Sequence, residues 1–596
     1  MGMFNKIFAC FVLLFTSGLY AQNLPPGGTP LFPQPVLDAL SIGNNTQGKA
    51  EKISFAGQPN REGLKLTTLV SAANPWDVQV DAVVPVAVKK GDVVYAEFWM
   101  EAVDTHVESG EASSEFGFER LGEPWTKSVG FTLSAGQHWR KFSIPFTIVE
   151  DLDAGKSHIY FRMGYHPQSF MIADLKLITY AGTSVKLADL PQTKISYPGE
   201  EADAPWRKEA ADRIEKIRKG DLVVIVTDPA RSPQPNVKVS VRMKRHDFGF
   251  GTAVVAKTLA TSGGYNDEYQ KEVARLFNRV VFENDLKWGP WETGASNTDS
   301  SWRREYVDGA MKWLSDRHFD VRGHNMVWGT WRYLPADVKA VSDDHKALED
   351  KIEQRIQDVG GTMKGQLAEW DVVNEPVPEH QLTDILGKQA MITWYQKARE
   401  ADPKAVLFVN DYPEPDSGHL DAYDDTIQYL LKNGAPLGGI GLQGHVGTSP
   451  WSIPGLLKTL DKLGAHGIPV EITEYDTQIQ DQQVDAQFLK DFMTAVFSHP
   501  STNGFLMWGF WDGAHWHNEA PIFNQDWTEK ASGQAYEQLV LHDWWTNADG
   551  LTDARGTYEV RGFTGDYDVT VKQGDQTITV PAHLTNGGTI LKISLK

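Results

Sequence analysis

The stretch LAEWDVVNEP, Leu367 to Pro376, is followed by LTDILGKQAMITWYQKARE, Leu382 to Glu400, and then by AVLFVNDY, Ala405 to Tyr412. The first segment is an apolar run that stops abruptly at an amide, a carboxylate and a proline. A carboxylate seldom goes inside without a partner, and proline ends the ladder a strand makes. Asn374 and Glu375 therefore belong at a strand tip, facing something. The second segment reads as a helix and the third as another strand finishing in polar groups.

Outward from this stretch the same rhythm repeats. DFGFGTAV (from Asp247) precedes DEYQKEVARLF, and RVVFEN precedes SWRREYVDGAMKWLSDRHF, where Tyr306, Ala310, Trp313 and Leu314 fall at helical spacing. DVRGHNMVW precedes HKALEDKIEQRIQDV. On the far side AVLFVNDY precedes HLDAYDDTIQYLLKNG, and GIGLQGH precedes IPGLLKTLDKLGAHG. PVEITEYD then precedes DAQFLKDFMTAVFSHP, and GFLMWGFWD precedes ASGQAYEQLVLHDWW. Eight strand–helix alternations predict a closed (β/α)8 barrel over residues 246–548. A doubly wound open sheet is the runner-up, but it seldom runs to eight uninterrupted units.

The flanks read differently. Residues 22–185 show short strands with few helices, such as KFSIPFTI with Phe142, Ile144, Phe146 and Ile148 on one face, which predicts a β-sandwich. Pro191, Pro198 and Pro205 mark a linker. Residues 186–245 continue with a helix opened by Pro205 and a β-hairpin made of LVVIV and VKVSVRM. Strands return in a small β appendage, 549–596, expected to pair with the hairpin around Leu222–Met243. Residues 1–21 carry Lys6, an apolar stretch and small residues before Ala21, the pattern of a secretory signal peptide. Cys10 is the only cysteine, so no disulfide, zinc–thiolate or cysteine-nucleophile chemistry is expected after its removal. No later segment nears the roughly 20 apolar residues of a membrane span, and a net charge of −21 argues against polyanionic partners. The expectation is an exported monomer, extracellular or periplasmic, with no nucleic-acid partner, no cofactor and no metal.

Catalytic groups of such barrels sit at the carboxyl ends of the strands. Those ends supply Glu283, Asn284 and Lys287, then His324 and Trp328, then Asn374 and Glu375. They continue with Asn410, Asp411 and Tyr412, Gln443 and His445, Glu474 and Asp476, and Trp508 and Asp512. Carboxylates, amides and indoles with few cations suit a neutral, hydroxyl-rich substrate. Glu375 and Glu474 stand out because each follows an otherwise buried strand. Cleaving a glycosidic bond needs a proton donor to the leaving oxygen and a second carboxylate at the anomeric carbon, about 5–5.5 Å away when that carboxylate attacks directly. One such glutamate alone reads as an ion-paired rim residue; two at matching strand ends do not.

WDVVNEP, EITEYD, FENDLKW, RGHNMVW, FVNDY, GLQGH and WGFWDGAHW, one per strand and in order over about 250–545, resemble the signature segments of the family 10 glycoside hydrolases, the endo-β-1,4-xylanases. The N-terminal sandwich is similar, more loosely, to carbohydrate-binding modules attached to such enzymes. The tail RGFTGDYDVTV is similar to that of plant-type and some bacterial members. The resemblance implies a retaining endo-xylanase acting on xylan or xylo-oligosaccharides, with Glu375 as general acid/base and Glu474 as nucleophile. Asn374 would bond the hydroxyl next to the anomeric carbon, and His445, supported by Gln443, would hold Glu474 ionised. Glu283, Asn284, Lys287 and His324 would bind sugar hydroxyls on the non-reducing side, and Trp328, Trp508 and Trp516 would wall the sugar nearest the cut. Asn410 and Tyr412 are placed on the other side. A general acid needs a raised pKa, and the negative charge of Glu474 supplies it until the glycosyl-enzyme forms.

One departure is plain: Gly329 follows Val327-Trp328 where the family usually has histidine, which puts a subsite contact in question. GIGLQG, Gly439 to Gly444, matches a dinucleotide fingerprint, but its glycines lie within a strand instead of opening a helix. His515 and His517 read as a solvated pair before metal ligands, and Trp76, Trp99, Trp125 and Trp139 as core before sugar platforms, with Trp125 the one worth testing. Asn44 begins a glycosylation sequon. A related barrel hydrolase on another β-1,4-glycan and a non-catalytic polysaccharide-binding protein are the competing readings. The carboxylate pair speaks against the latter.

Overall fold

Eight parallel strands close into a barrel among the described residues: Gly249–Val254, Arg279–Phe282, Asp320–Gly323, Glu369–Asn374, Val406–Asp411, Gly439–Leu442, Val470–Thr477 and Thr502–Met507. The first strand pairs with both the second (Thr252 opposite Val280) and the eighth (Gly251 opposite Leu506), which seals the cylinder. The computed structural model describes residues 24–43, 46–54, 62–105, 107, 109–293, 304–415 and 417–595. The leader-like residues 1–21 and both asparagines of the sequon lie outside them.

Each barrel strand is followed by a helix that buries one stripe against it. In Ile453–Gly464 that stripe is Ile453, Leu456, Leu460 and Leu463, the spacing of one helical face. Side-chain caps start several of these helices: Asp344, Ser417, Ser452 and Asp481 each accept a backbone N–H of the first turn. A short extension, Val327–Trp328, runs beside the end of strand four and sets Trp328 opposite Asn374.

The barrel interior is not purely apolar. Arg322 of strand three donates to Glu369 Oε1 (3.0 Å) and Glu471 Oε2 (2.9 Å), and pairs with Asp371 through its Nε (3.1 Å). Arg279 of strand two also pairs with Glu471. All five side chains are buried. Burial and the neighbouring Glu369 push the Glu471 carboxyl up, whereas for Glu369 the burial penalty is outweighed by Arg279 and Arg322, which hold it down.

Two sheets face one another ahead of the barrel. One has the order Gly48–Ser54, Glu62–Thr68, Gln168–Thr179, Val93–Thr105, Arg140–Thr147; the other Gln79–Val83, Ser157–Arg162, Ala112–Arg120, Lys127–Ala135. Phe98, Phe116, Phe142 and Phe161 fill the space between them, Phe98 meeting Phe161 edge-on at 5.0 Å. Trp76 and Trp125, expected in this core, are exposed instead.

Helix Pro205–Ile217 opens on its proline as expected. The two strands after it do not make the expected hairpin. Lys219–Thr227 lies between Thr557–Phe563 and Thr589–Ser594, and Lys238–His246 between Asn547–Leu551 and Gly565–Gln573, so the tail pairs with both in two separate sheets. The proline-containing connection DPARSPQPN lacks the two-residue turn that a tight hairpin requires.

The sandwich is seated on the barrel's C-terminal face. Glu111 accepts the backbone N–H groups of Thr448 (3.0 Å) and Ser449 (3.2 Å) in the loop beyond strand six. Ser134 donates to Glu111 Oε2 (2.6 Å) and also meets Thr448, while Arg140 donates to Ser449. Glu414, from the loop after strand five, is buried against Gly110 and Gly136 of the sandwich.

Candidate active site

Glu375 and Glu474 arrive from strands four and seven at one end of the barrel, both buried. Glu375 has a left-handed backbone (φ 54°), a conformation uncommon for a non-glycine residue, at the point where strand four stops. Its N–H donates to Asn410 O (2.7 Å), which ties the turn to strand five. Three neutral donors reach its carboxylate: Asn374 Nδ2 (2.9 Å) and Gln443 Nε2 (3.0 Å) at Oε1, and Trp328 Nε1 (2.8 Å) at Oε2.

Glu474 has different surroundings. Asn410 Nδ2 donates to its Oε1 (2.6 Å), His445 Nε2 lies 3.4 Å from Oε2, and His324 Nδ1 is 3.9 Å from Oε1. Burial opposes its charge, but His324, His445 and Lys287 outweigh that penalty and hold its pKa below the usual carboxylate range. His445 is itself fixed by Asp476, whose Oδ1 lies 2.7 Å from Nδ1. Burial alone would lower the His445 pKa; Asp476 and Glu474 reverse this and push it up to about 10.

A hydrogen-bonded bridge joins the two carboxylates. Asn410 Nδ2 also donates to Asn374 Oδ1 (2.9 Å), and Thr473 Oγ1 donates to Asn410 Oδ1 (2.7 Å). The path Glu375–Asn374–Asn410–Glu474 therefore runs through side-chain contacts across the mouth. Asn410 is an internal strut between the carboxylates, and the Gln443 side chain is turned to Glu375. Only the backbone of Gln443 serves Glu474, accepting its N–H at 2.8 Å.

The remaining expected residues line the same mouth. Lys287 donates to Asn284 Oδ1 (3.0 Å), and Asn284 to Glu283 Oε1 (3.0 Å). The Lys287 ammonium sits 5.3 Å from the Trp328 ring and 5.6 Å from that of Trp508. Burial pushes the Glu283 carboxyl up, against the pull of Lys287. Trp508 meets His324 edge-on at 5.1 Å, and Trp516 donates to Asp476 Oδ2 at 2.6 Å. Tyr412 follows strand five with its ring edge-on to His419 at 5.0 Å. His515, expected to be solvated, is buried with its Nε2 3.5 Å from Asp476, whereas His517 is exposed and packs on Trp516 at 3.7 Å.

One group escaped sequence reasoning as part of the site. Asp371 holds His324 Nδ1 at 2.9 Å and connects it to the Arg322 cluster below. Its signal lay inside WDVVNEP, a charged residue mid-strand that needs a buried partner. Asp476 stood at a strand end but its charge-setting role was not legible. Gly329 is explained by packing: a Cβ there would lie 2.3 Å from the Glu379 carbonyl oxygen, so no larger side chain fits without moving that loop.

Fold and site together define a (β/α)8 barrel whose mouth holds a paired-glutamate centre. Residues 240–540 match the family described as Glycosyl hydrolase family 10, and the chain belongs to that family. It is 34% identical over 373 residues to "Anti-sigma-I factor RsgI6" of Acetivibrio thermocellus, covering 61% of this chain and 46% of that protein. It is 30% identical over 366 residues to "Endo-1,4-beta-xylanase 1" of Arabidopsis thaliana, covering 60% and 37%. The chain thus spans between a third and a half of the length of these curated relatives. Native xylanase 10B from Thermotoga maritima superposes with a TM-score of 0.45 at 22% identity, over 50% of this chain and 96% of that one.

Proposed function

We propose that the protein is an exported endo-1,4-β-xylanase that cuts internal xylosidic bonds by double displacement with retention. The observation that carries this reading is the unequal provision of two neighbouring carboxylates. Glu474 faces His445 and His324 and is held ionised, while Glu375 is met by neutral donors. Two carboxyl groups with different environments at one site are what acid and nucleophile roles require.

In the first displacement a Glu474 oxygen bonds to the anomeric carbon as the bond to the leaving oxygen breaks, and that oxygen takes the Glu375 proton. In the second, water gives a proton to Glu375, its oxygen bonds to the same carbon, and Glu474 leaves as carboxylate. Asn374, gripped by Asn410 and adjacent to Glu375, is oriented to bond the neighbouring hydroxyl as positive charge develops on the ring. Trp328, Trp508 and Trp516 flank this position, with Glu283, Asn284 and Lys287 presenting polar groups to the sugar beyond. Xylan as substrate is supported by the relatives named endo-1,4-beta-xylanases; export is supported by the leader-like residues 1–21.

Leaving-group dependence tests the roles. Glu375→Ala should keep appreciable glycosylation on aryl xylosides whose leaving group needs no proton, with turnover restored by azide, while Glu474→Ala loses every substrate. Equal loss on both substrate types in Glu375→Ala would contradict the assignment.

A further inference from the structure

Two carboxyl groups lock the sandwich and the barrel together from opposite sides. Glu111, from the sandwich, lies over Gly447 in the loop beyond strand six, where a Cβ would fall 1.7 Å from its Oε2. Glu414, from the loop beyond strand five, reaches the other way, between Gly110 and Gly136 of the sandwich. Cβ atoms on those two glycines would fall 2.6 Å and 2.4 Å from its carboxyl oxygens. Each domain thus leaves out a side chain where the other inserts a glutamate, and both glutamates are buried. Three donors meet Glu111: Thr448 N (3.0 Å) and Ser134 Oγ (2.6 Å) at Oε2, and Ser449 N (3.2 Å) at Oε1. Burial, and then the charge of Glu111, push the Glu414 carboxyl well above the usual carboxylate range. Glu414 therefore enters the joint as the neutral acid.

The joint holds a loop that leads out of the active site. His445 and Val446 pair with Asp476 and Thr477, and Gln478 N–H donates to Val446 O (3.0 Å) and Gly447 O (3.2 Å). Past that point the supports come from outside the barrel. Glu111 holds Thr448 and Ser449, with Ser134 on Thr448 and Arg140 on Ser449. Ile453, which opens the next helix, donates its N–H to Pro198 O of the linker at 3.0 Å. Glu414 follows Tyr412 by two residues, so the strand-five loop is tied into the same joint. In the ring of eight strands, strand six stands opposite strand two, which carries Glu283, Asn284 and Lys287 at its end. The function proposed above gives those three to sugar on the non-reducing side. The loops opposite them then face the leaving-group side.

We propose that Glu111 is a positioning residue for hydrolysis, holding Thr448 and Ser449 so that the strand-six loop meets the leaving-group sugars, and that the sandwich is thereby a working wall of the cleft. An apolar joint would keep two domains together at least as well as a buried carboxylate does. A carboxylate accepting two successive backbone N–H groups does something more specific, because charge-assisted bonds of this kind fix one loop in one place. The assignment to the leaving-group side rests on the proposed function.

The test compares two substrates with the full-length chain. Nitrophenyl xylobioside places sugar only on the non-reducing side of the cut, whereas xylohexaose places it on both. Glu111→Ala should lower kcat/KM about ten-fold more on xylohexaose than on the aryl glycoside, chiefly through KM. Gly447→Ala, which drives a methyl group into the Glu111 carboxylate from the barrel side, should give the same imbalance without removing a charge. Glu111→Gln, equal in volume and keeping one acceptor oxygen, should fall between Glu111→Ala and the parent. Backbone hydrogen exchange from Thr448 to Ile453 should quicken in both alanine variants. Equal loss on the two substrates would make the joint merely structural and overturn the inference, as would unchanged kinetics or unchanged exchange in that loop. A parent active on both substrates, with balanced losses in the variants, sinks this inference alone. A parent that hydrolyses neither substrate, with exchange still quickened in the variants, sinks the proposed function and leaves the hold on the loop standing.

Discussion

A buried imidazole between Asp476 and Glu474 stays charged because both neighbours are anionic, and that charge keeps the Glu474 carboxylate ionised. The folded-state pKa of His445, about 10, lies above the usual histidine value near 6.5. Its stabilising contribution is therefore complete below about pH 6.5 and is lost as pH rises through about 10. Glu474, shifted downward, contributes stability above the ordinary carboxylate range and loses it as pH falls. Replacing Asp476 by Asn removes the larger support of the imidazolium, so the alkaline limb of kcat/KM should move down by at least one pH unit. An unmoved limb would show that Asp476 does not set the charge of His445. At this scale the sequence disclosed residue types and their strand ends, hence both glutamates. It did not disclose pairings, because whether Gln443 serves Glu375 or His445 is fixed by rotamers and strand register across the barrel, and no spacing along the chain encodes that.

Each barrel strand brings its polar tip to the mouth, and the register between neighbours sets the geometry. Strands read clearly where apolar runs met Asn, Glu or Trp. The charged interior did not, because Arg279, Arg322, Glu369, Asp371 and Glu471 are scattered through four strands and become one cluster only on closure. Arg322→Met would leave three carboxylates short of a counter-cation; breaking such a buried set costs about 3–5 kcal/mol. Calorimetry should show that loss together with a fall in activity, since Asp371 would no longer be fixed beneath His324. Gly329 gives the complementary case. Installing the family's histidine there pushes a Cβ onto the Glu379 carbonyl, an overpacking cost of roughly 1–3 kcal/mol. Because the Glu379 N–H donates to Glu375 O at 2.9 Å, kcat/KM should fall with stability. A Gly329→His chain as stable as the parent would refute the packing explanation.

Across the molecule, the tail is bound to the segment before the barrel by strands on both sides of Lys219–Thr227 and Lys238–His246. Phe563, Tyr567, Val569, Val571, Leu584 and Ile593 are buried there, at about 1.5–3 kcal/mol for each large side chain removed from water. Ending the chain at Asp549 should therefore lower the unfolding temperature strongly and expose dye-binding apolar surface; an undisturbed melting curve would show that the appendage is dispensable. The pairing of tail with pre-barrel strands was foreseeable from their composition. Its division into two sheets was not, since strand partners separated by some three hundred residues leave no local signal. The seating of the sandwich on the loop beyond strand six was equally hidden, because Glu111 is a single acid whose partners are backbone N–H groups of Thr448 and Ser449.

The most direct measurement is covalent. Incubation with a 2-fluoro-xylobioside bearing a good leaving group, followed by peptide mass mapping, should add one fluoro-xylobiosyl group to the side chain of Glu474, with activity lost in proportion to labelling. Labelling at Glu375, or inactivation without any covalent adduct, would contradict the division of labour between the two glutamates.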